Sequence, residues 1–238
     1  YWRPGQRIVS DNTGHVCGRC PACERGDYLL CSEKVNLGLG YGYSGGFTKY
    51  CRIPGEILAI HKRAIWEIPE GLEYEEAAVM DPICNAYKAI AQRSGLLPGE
   101  NVVIFGTGPL GLFSVQIAKI MGALNIVVVG LEEDVKVRFG VARQLGATEV
   151  VNGSAEDVVK RCQEICGGSD SIGLVVDCAG ANICLKQAIE MVRCNGEIVR
   201  VGMGFKPVGF SINDISMKAV SIIGHMAYDA TSCRNSLQ

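Results

Sequence analysis

The tightest constraint on this chain is the run Asn101-Val-Val-Ile-Phe-Gly-Thr-Gly-Pro-Leu-Gly111. Four β-favouring residues, Val102 to Phe105, lead into Gly106-x-Gly108-x-x-Gly111. Phe113, Ile117, Ile120 and Met121 then fall on one helical face. Gly106 permits a tight strand-to-helix turn, Gly108 lets the backbone approach a pyrophosphate, and Gly111 lets helix and strand pack closely. The helix that opens at Pro109 and Leu110 would turn its amide groups and positive dipole end toward the phosphates. With 30 glycines in 238 residues, such a spacing can also arise as an ordinary turn in another α/β domain. Context separates the two readings. A second strand, Ile126–Val129, follows the helix and leads to Glu132, close to where an acid for the ribose hydroxyls is expected, about 20 residues on.

Beyond that unit, short apolar strands and helices keep alternating. Strands are expected at Glu149–Val151, Leu174–Val176, Glu197–Val201 and Val220–Ile223, with helices at Asp134–Leu145, Ala155–Ile165 and Ile183–Val192. With the first two, these six strands imply an α/β fold with a doubly wound, parallel six-stranded sheet. Ligands in such sheets sit beyond the carboxyl ends of the strands. Ala179 and Gly180 after the fourth strand, and Val201 and Gly202 after the fifth, are therefore candidate cofactor walls, although βα turns need glycine for their own reasons.

Bulk properties narrow the function class. A net charge of −2 leaves no electrostatic footprint for nucleic acid or an anionic membrane. No apolar run reaches the roughly 18–20 residues of a membrane span, and Tyr1-Trp-Arg-Pro does not open a secretory signal. Twelve cysteines in such a chain point to metal binding and free buried thiols in a reducing compartment, so a cytoplasmic location is expected.

The first sixty residues lack helical periodicity. Gln6–Ser10, Gly46–Pro54 and Glu56–Ile60 read as short strands around a cysteine- and glycine-rich excursion, Gly14 to Gly46. That excursion cannot hold its shape by apolar burial. Its spacing, Cys17-x2-Cys20-x2-Cys23-x7-Cys31, supplies four soft thiolates on short loops, enough to close a tetrahedral zinc site with no open position and hence a structural role. The rival is an iron–sulfur cluster. The bacterial ferredoxin run closes on a shorter last gap followed by Pro, whereas Ser32 follows Cys31.

Together, Cys17-Gly-x-Cys20-x-x-Cys23 with Cys31, Gly45-Gly-Phe-x-x-Tyr50 and Phe105-Gly-x-Gly-Pro-x-Gly111 resemble the zinc-containing medium-chain alcohol dehydrogenases, over essentially the whole chain and in order. The resemblance implies a partial β-rich catalytic domain over residues 1–82 with the zinc lobe at 14–46. A dinucleotide domain would follow over 83–226, and residues 227–238 would start the return to the catalytic domain. It also implies that the loops at Ala179–Gly180 and Val201–Gly202 line the nicotinamide half of the site. Asp81-Pro82 resembles the acid-proline segment of the sorbitol and threonine dehydrogenase branch. Asp81 is therefore the candidate ligand of a catalytic zinc, against a plain helix N-cap.

The implied activity is hydride transfer between NAD or NADP and a polyol, secondary alcohol or threonine-like substrate, with a homo-oligomer expected. Gly130 stands at the strand tip where an acid is usual. Glu132 or Glu133 would favour NAD, while Lys136 or Arg138 beside Gly130 would favour NADP. The family's other catalytic-zinc ligands, a Cys and a His-Glu pair, come from a segment before the lobe that does not stand in these residues, and none of His15, His61 and His225 replaces them. A fragment with little turnover of its own is the expectation. Two alternatives are a zinc-free quinone or enoyl reductase of the same superfamily, and a non-catalytic nucleotide-binding or redox-sensing module.

Overall fold

The structure is a computed structural model that describes residues 2–34, 38–40 and 42–237. It divides into two compact units, Tyr1–Cys84 with Met226–Gln238, and Asn85–His225. Residues 35–37 and 41 of the expected zinc lobe lie outside the described residues.

The first unit contains β1 (Ile8–Ser10), α1 (Pro21–Glu24), α2 (Gly55–Ile60), β2 (Ile65–Glu67) and α3 (Tyr74–Ala77), and most of α4 (Met80–Tyr87). The two strands pair antiparallel, Ile8 opposite Glu67 and Ser10 opposite Ile65. Its main core gathers Leu29, Trp66, Met80, Cys84, Tyr228 and Cys233, the last two from the end of the chain. Two expected strands are absent. Residues 46–54 contain no strand because their aromatic members, Phe47 and Tyr50, face solvent and give the segment no buried face. Glu56–Ile60 is helical. Pro54 stands at the N-cap and Ile57 and His61 are buried one turn apart, a helical period that a short apolar run does not betray by itself. The helix expected over Tyr74–Met80 breaks in two, its first part opened by a capping box between Glu73 and Glu76.

The second unit opens on a π-helical turn, Lys88–Arg93, followed by β3 (Asn101–Phe105), α5 (Pro109–Ile120), β4 (Ile126–Gly130), α6 (Arg138–Leu145), β5 (Glu149–Asn152) and α7 (Val158–Cys166). Then come β6 (Ile172–Asp177), α8 (Asn182–Met191), β7 (Glu197–Arg200), α9 (Ile212–Ser216) and β8 (Ser221–Gly224). All six strands are parallel, in the order β5-β4-β3-β6-β7-β8. This is the doubly wound dinucleotide-binding order, and it reverses direction between β3 and β6. Every residue of β3, β4 and β6 is buried, as a sheet covered on both faces requires.

Alternate residues serve two cores. Val103, Phe105, Val127 and Val129 pack with α7 and α8, while Val102, Ile104, Ile126 and Val128 pack with α5, α6 and the π-helical turn. On α7 the inward face is Val158, Cys162 and Cys166. Burial pushes the Cys162 thiol up to about 12 and Cys166 to about 11, so both behave as small hydrophobes.

Gly106 sits at φ +101°, a backbone state that side chains disfavour. A Cβ on Gly111 would overlap the Gly106 carbonyl oxygen, which no rotamer can relieve. Gly111→Ala should therefore lower the stability of the second unit by about 3 kcal/mol or more, read as a shift in its urea unfolding midpoint.

Candidate functional site

At the reversal point the ends of β3, β4 and β6 are stitched together. Gly106 donates its N–H to the Val129 carbonyl at 2.8 Å, and Cys178 donates to the Phe105 carbonyl at 3.0 Å. Beyond these ends lies a cleft of about 400 Å³. Gly106, Thr107 and Gly108 form its floor, Leu131, Glu133 and Arg138 one side, and Cys178, Ala179, Ala181 and Ile183 the other. A larger hollow of about 600 Å³ lies between α8 and α9, with Lys186, Glu190, Asp214 and Lys218 in its lining, and shares no residue with the cleft.

Of the residues expected from the sequence, Gly106, Gly108, Glu133, Arg138 and Ala179 line the cleft. Gly108 is the N-cap of α5, and a Cβ there would meet no protein atom within 4 Å. Pro109, Leu110 and Gly111 form the first turn of that helix, where helix geometry leaves N–H groups without intrahelical acceptors. Gly180, Val201 and Gly202 stand behind the wall: Asp177 Oδ1 takes the Gly180 N–H at 2.8 Å, and the Asp177 carbonyl takes those of Val201 and Gly202 at 2.9 and 2.7 Å. Burial outweighs the amides of Gly180 and Ala179 and the Arg200 charge, and holds the Asp177 carboxyl above the usual range.

At the far end, of the two acids the sequence offers, Glu133 lines the cleft. The Glu132 carboxylate accepts from Asn152 Nδ2 at 2.6 Å and does not join it there. At the tip of β4 no side chain fits, since a Cβ on Gly130 would come within 2.8 Å of Thr107 Cγ2 and 2.9 Å of Asp134 Oδ2. Asp134 is buried. Desolvation opposes its charge, yet the Leu131 N–H, the Thr107 hydroxyl and Arg138 hold its carboxyl below the usual range. Arg138 donates to Asp134 at 3.2 Å with its side chain half exposed, which makes it the cation on this wall. Sequence reasoning left Arg138 as one of two basic candidates and passed over Thr107 and Asp134. The i, i+4 spacing of Asp134 and Arg138 was the available signal.

In the first unit Cys17, Cys20, Cys23 and Cys31 converge, their sulfur atoms all within 4.8 Å of one another. Backbone amides already point at the sulfurs, Cys20 N–H to Cys17 Sγ at 3.3 Å and Cys17 N–H to Cys31 Sγ at 3.4 Å. The N–H groups of Cys23 and Ser32 bring the Cys20 thiol down to about 5, whereas burial pushes Cys23 up to about 12. Among the described residues this is the one grouping of three or more metal-ligating atoms. Asp81, in the first turn of α4, accepts from Asn12 Nδ2 at 3.1 Å. His61 is buried and hydrogen-bonds Asp11 at 2.8 Å, with the Tyr28 ring 4.2 Å away. His225 pairs with Asn85 at 3.2 Å, and burial with Lys88 and Arg93 nearby brings it down to about 4.

Comparison with known proteins matches residues 109–238 to the zinc-binding dehydrogenase family and residues 1–63 to the alcohol dehydrogenase GroES-like domain. The chain belongs to the zinc-binding dehydrogenase family. It is 71% identical over its whole length to the zinc-type alcohol dehydrogenase-like protein YdjL of Escherichia coli K12, and 31% identical over 221 residues to a sorbitol dehydrogenase of Halalkalibacterium halodurans. It spans 66% and 61% of those two relatives. Among solved structures it resembles a zinc-binding dehydrogenase of Sinorhizobium meliloti bound to NADP, at 28% identity and a TM-score of 0.84. That likeness covers 99% of this chain and 66% of the other. The 2R,3R-butanediol dehydrogenase of Bacillus subtilis is similar at 28% identity and a TM-score of 0.81, over 99% and 62% of the two chains.

The donor set of the four cysteines fits a closed zinc site. Four convergent thiolates repel one another, and a dication cancels that repulsion while amide groups steady the sulfurs. Chelation should therefore release one zinc per chain and expose Leu29 and Trp66, seen as a rise in tryptophan accessibility. Cys23→Ser should do the same without chelator.

Proposed function

We propose that this chain serves a zinc-dependent oxidoreductase reaction: hydride transfer between NAD or NADP and a polyol, secondary alcohol or threonine-like substrate. The unit Asn85–His225 takes the nucleotide, while Tyr1–Cys84 with Met226–Gln238 carries the structural zinc and the acid of the substrate side. The observation that carries this reading is Gly108, a bare N-cap on the floor of a cleft at the strand-order reversal, where no protein atom accounts for the missing side chain.

Gly106, Gly108, Pro109, Leu110 and Gly111 present the backbone to the pyrophosphate. Arg138 meets the ribose end of the adenosine half, and Ala179, Gly180, Val201 and Gly202 bound the nicotinamide half. Asp81 is the ligand this chain offers to a catalytic zinc. No two further ligands stand with it among the described residues, so the remaining ones would come from outside that set. When bound, zinc and nicotinamide supply the Lewis acid that lowers the alcohol's pKa and the acceptor for its hydride. The protein's own part is to hold the nucleotide at the strand ends and keep its reactive half walled. The four-cysteine cluster weighs against the zinc-free reductase reading.

Free buried thiols such as Cys162 and Cys166 support a reducing, cytoplasmic setting, and no helix among the described residues is long and apolar enough to cross a membrane. Strand β8 ends the sheet with half-buried Ile222 and Ile223, which suits pairing with a second copy.

Titrating the zinc-loaded chain into NADH and NADPH should enhance and blue-shift their fluorescence. No change with either would end the nucleotide reading. Arg138→Ala should weaken NADPH binding by about 2 kcal/mol, on the order of thirtyfold, and NADH binding far less.

A further inference from the structure

Strands β6 and β7 stay paired to their last residues, with Asp177 opposite Arg200. Both side chains therefore leave the sheet's carboxyl edge on the same face, and they meet there. Arg200 Nη1 donates to Asp177 Oδ2 at 2.5 Å, and Nη2 donates to the Gly180 carbonyl at 2.7 Å. Asp177 Oδ1 accepts from the amides of Ala179 and Gly180 at 3.1 and 2.8 Å. Its backbone carbonyl takes the amides of Val201 and Gly202. One aspartate thus holds the loop that follows it and the loop after the neighbouring strand.

The Asp177 side chain is fully buried and that of Arg200 is 18% exposed. Stability alone is a poor account of such a pair, because apolar residues of similar volume often hold a core at least as well. What the pair supplies is direction: the guanidinium fork engages a carboxylate and a loop carbonyl at once, a match that a point charge cannot make. The loops it joins are already pressed together. Gly180 sits at φ +74°, and a Cβ on Gly202 would overlap the Gly180 amide nitrogen. A Cβ on Gly204 would come within 2.9 Å of Arg200 Nη2, so that glycine leaves the guanidinium its place.

The latched loop is also a wall of the cleft. Ala179 lines it, and its amide nitrogen lies 3.3 Å from where a Cβ on Gly106 would stand. In a doubly wound sheet the ribose beside the second strand, here β4, belongs to the adenosine half, so loops after β6 and β7 face the other mononucleotide.

We infer that Asp177 and Arg200 are positioning residues that latch the loops after β6 and β7 together and thereby set the width of the nicotinamide half of the cleft. The inference rests on the nucleotide reading given above. Its mark is selectivity between the two halves of the ligand, which a merely structural pair would not produce.

The zinc-loaded 238-residue chain is titrated with NADH and, separately, with AMP, which carries only the adenosine half. Arg200→Met should raise the Kd for NADH at least tenfold and change that for AMP less than twofold. Asp177→Asn keeps an acceptor for the Ala179 and Gly180 amides and should raise the NADH Kd by a smaller factor, again sparing AMP. If Arg200→Met does not fold, Arg200→Lys is read on the same ratio, since it keeps the charge and loses the fork. Equal losses for NADH and AMP, or no loss for either, overturn the latch and leave the cleft reading standing. A wild-type chain that binds none of NADH, NADPH and AMP overturns both.

Discussion

The close approach of helix α5 to strand β3 is the contact on which the rest of the structure depends. It is possible because Gly111 faces the Gly106 carbonyl with no side chain between them, and because Gly106 accepts a left-handed backbone that turns the chain within one residue. Those conditions set the distance between helix and sheet. They also bring the helix's first amides to the edge where β3 and β6 diverge. Packing and binding thus share one local geometry, and a methyl group in the wrong place would spoil both.

The cleft is held from two sides by different physics. On the β4 side a buried acid, Asp134, is wrapped by an amide, a hydroxyl and Arg138, and the absence of a side chain at Gly130 makes room for that cluster. On the β6–β7 side a buried ion pair joins two loops whose backbones touch. Each carboxylate anchors backbone N–H groups, one for Asp134 and two for Asp177, and an arginine, so the walls are fixed by directional bonds where the floor is fixed by close packing. The cysteine lobe works by a third means. Among its described residues Val16, Cys23 and Cys31 form its own buried cluster, too little to order a loop of that length by burial, and the convergent sulfurs supply the missing constraint through a metal.

Much of the dinucleotide fold could be read in advance because its signals are local and redundant. Strands β3, β4 and β6 centre on the apolar runs Val102–Phe105, Ile126–Val129 and Leu174–Val176, which a sheet covered on both faces can bury. The misreadings fall where a short segment has no period to display. Ile57 to Ile60 is apolar throughout, so its helical state depends on what buries Ile57 and His61 and not on any pattern of its own. Residues 46–54 hold strand-favouring Phe47, Thr48, Tyr50 and Ile53, but both aromatic rings stand exposed and form no buried face. At the end of β4 spacing offers Glu132 or Glu133 without choosing, and the fold turns Glu132 to Asn152 and leaves Glu133 on the cleft.

Sequence by itself determined the strand–turn–helix at Gly106–Gly111, the parallel βα alternation and the four-thiolate spacing, because each is a property of residues close together in the chain. Tertiary structure decided which groups face the cleft. Asp177 and Arg200 stand 23 positions apart and meet only because β6 and β7 lie side by side in register, and Arg138 reaches the wall only because Asp134 is pulled inward. Which distant side chains come within reach of one another depends on strand order and register, and these are settled by the burial of the whole sheet.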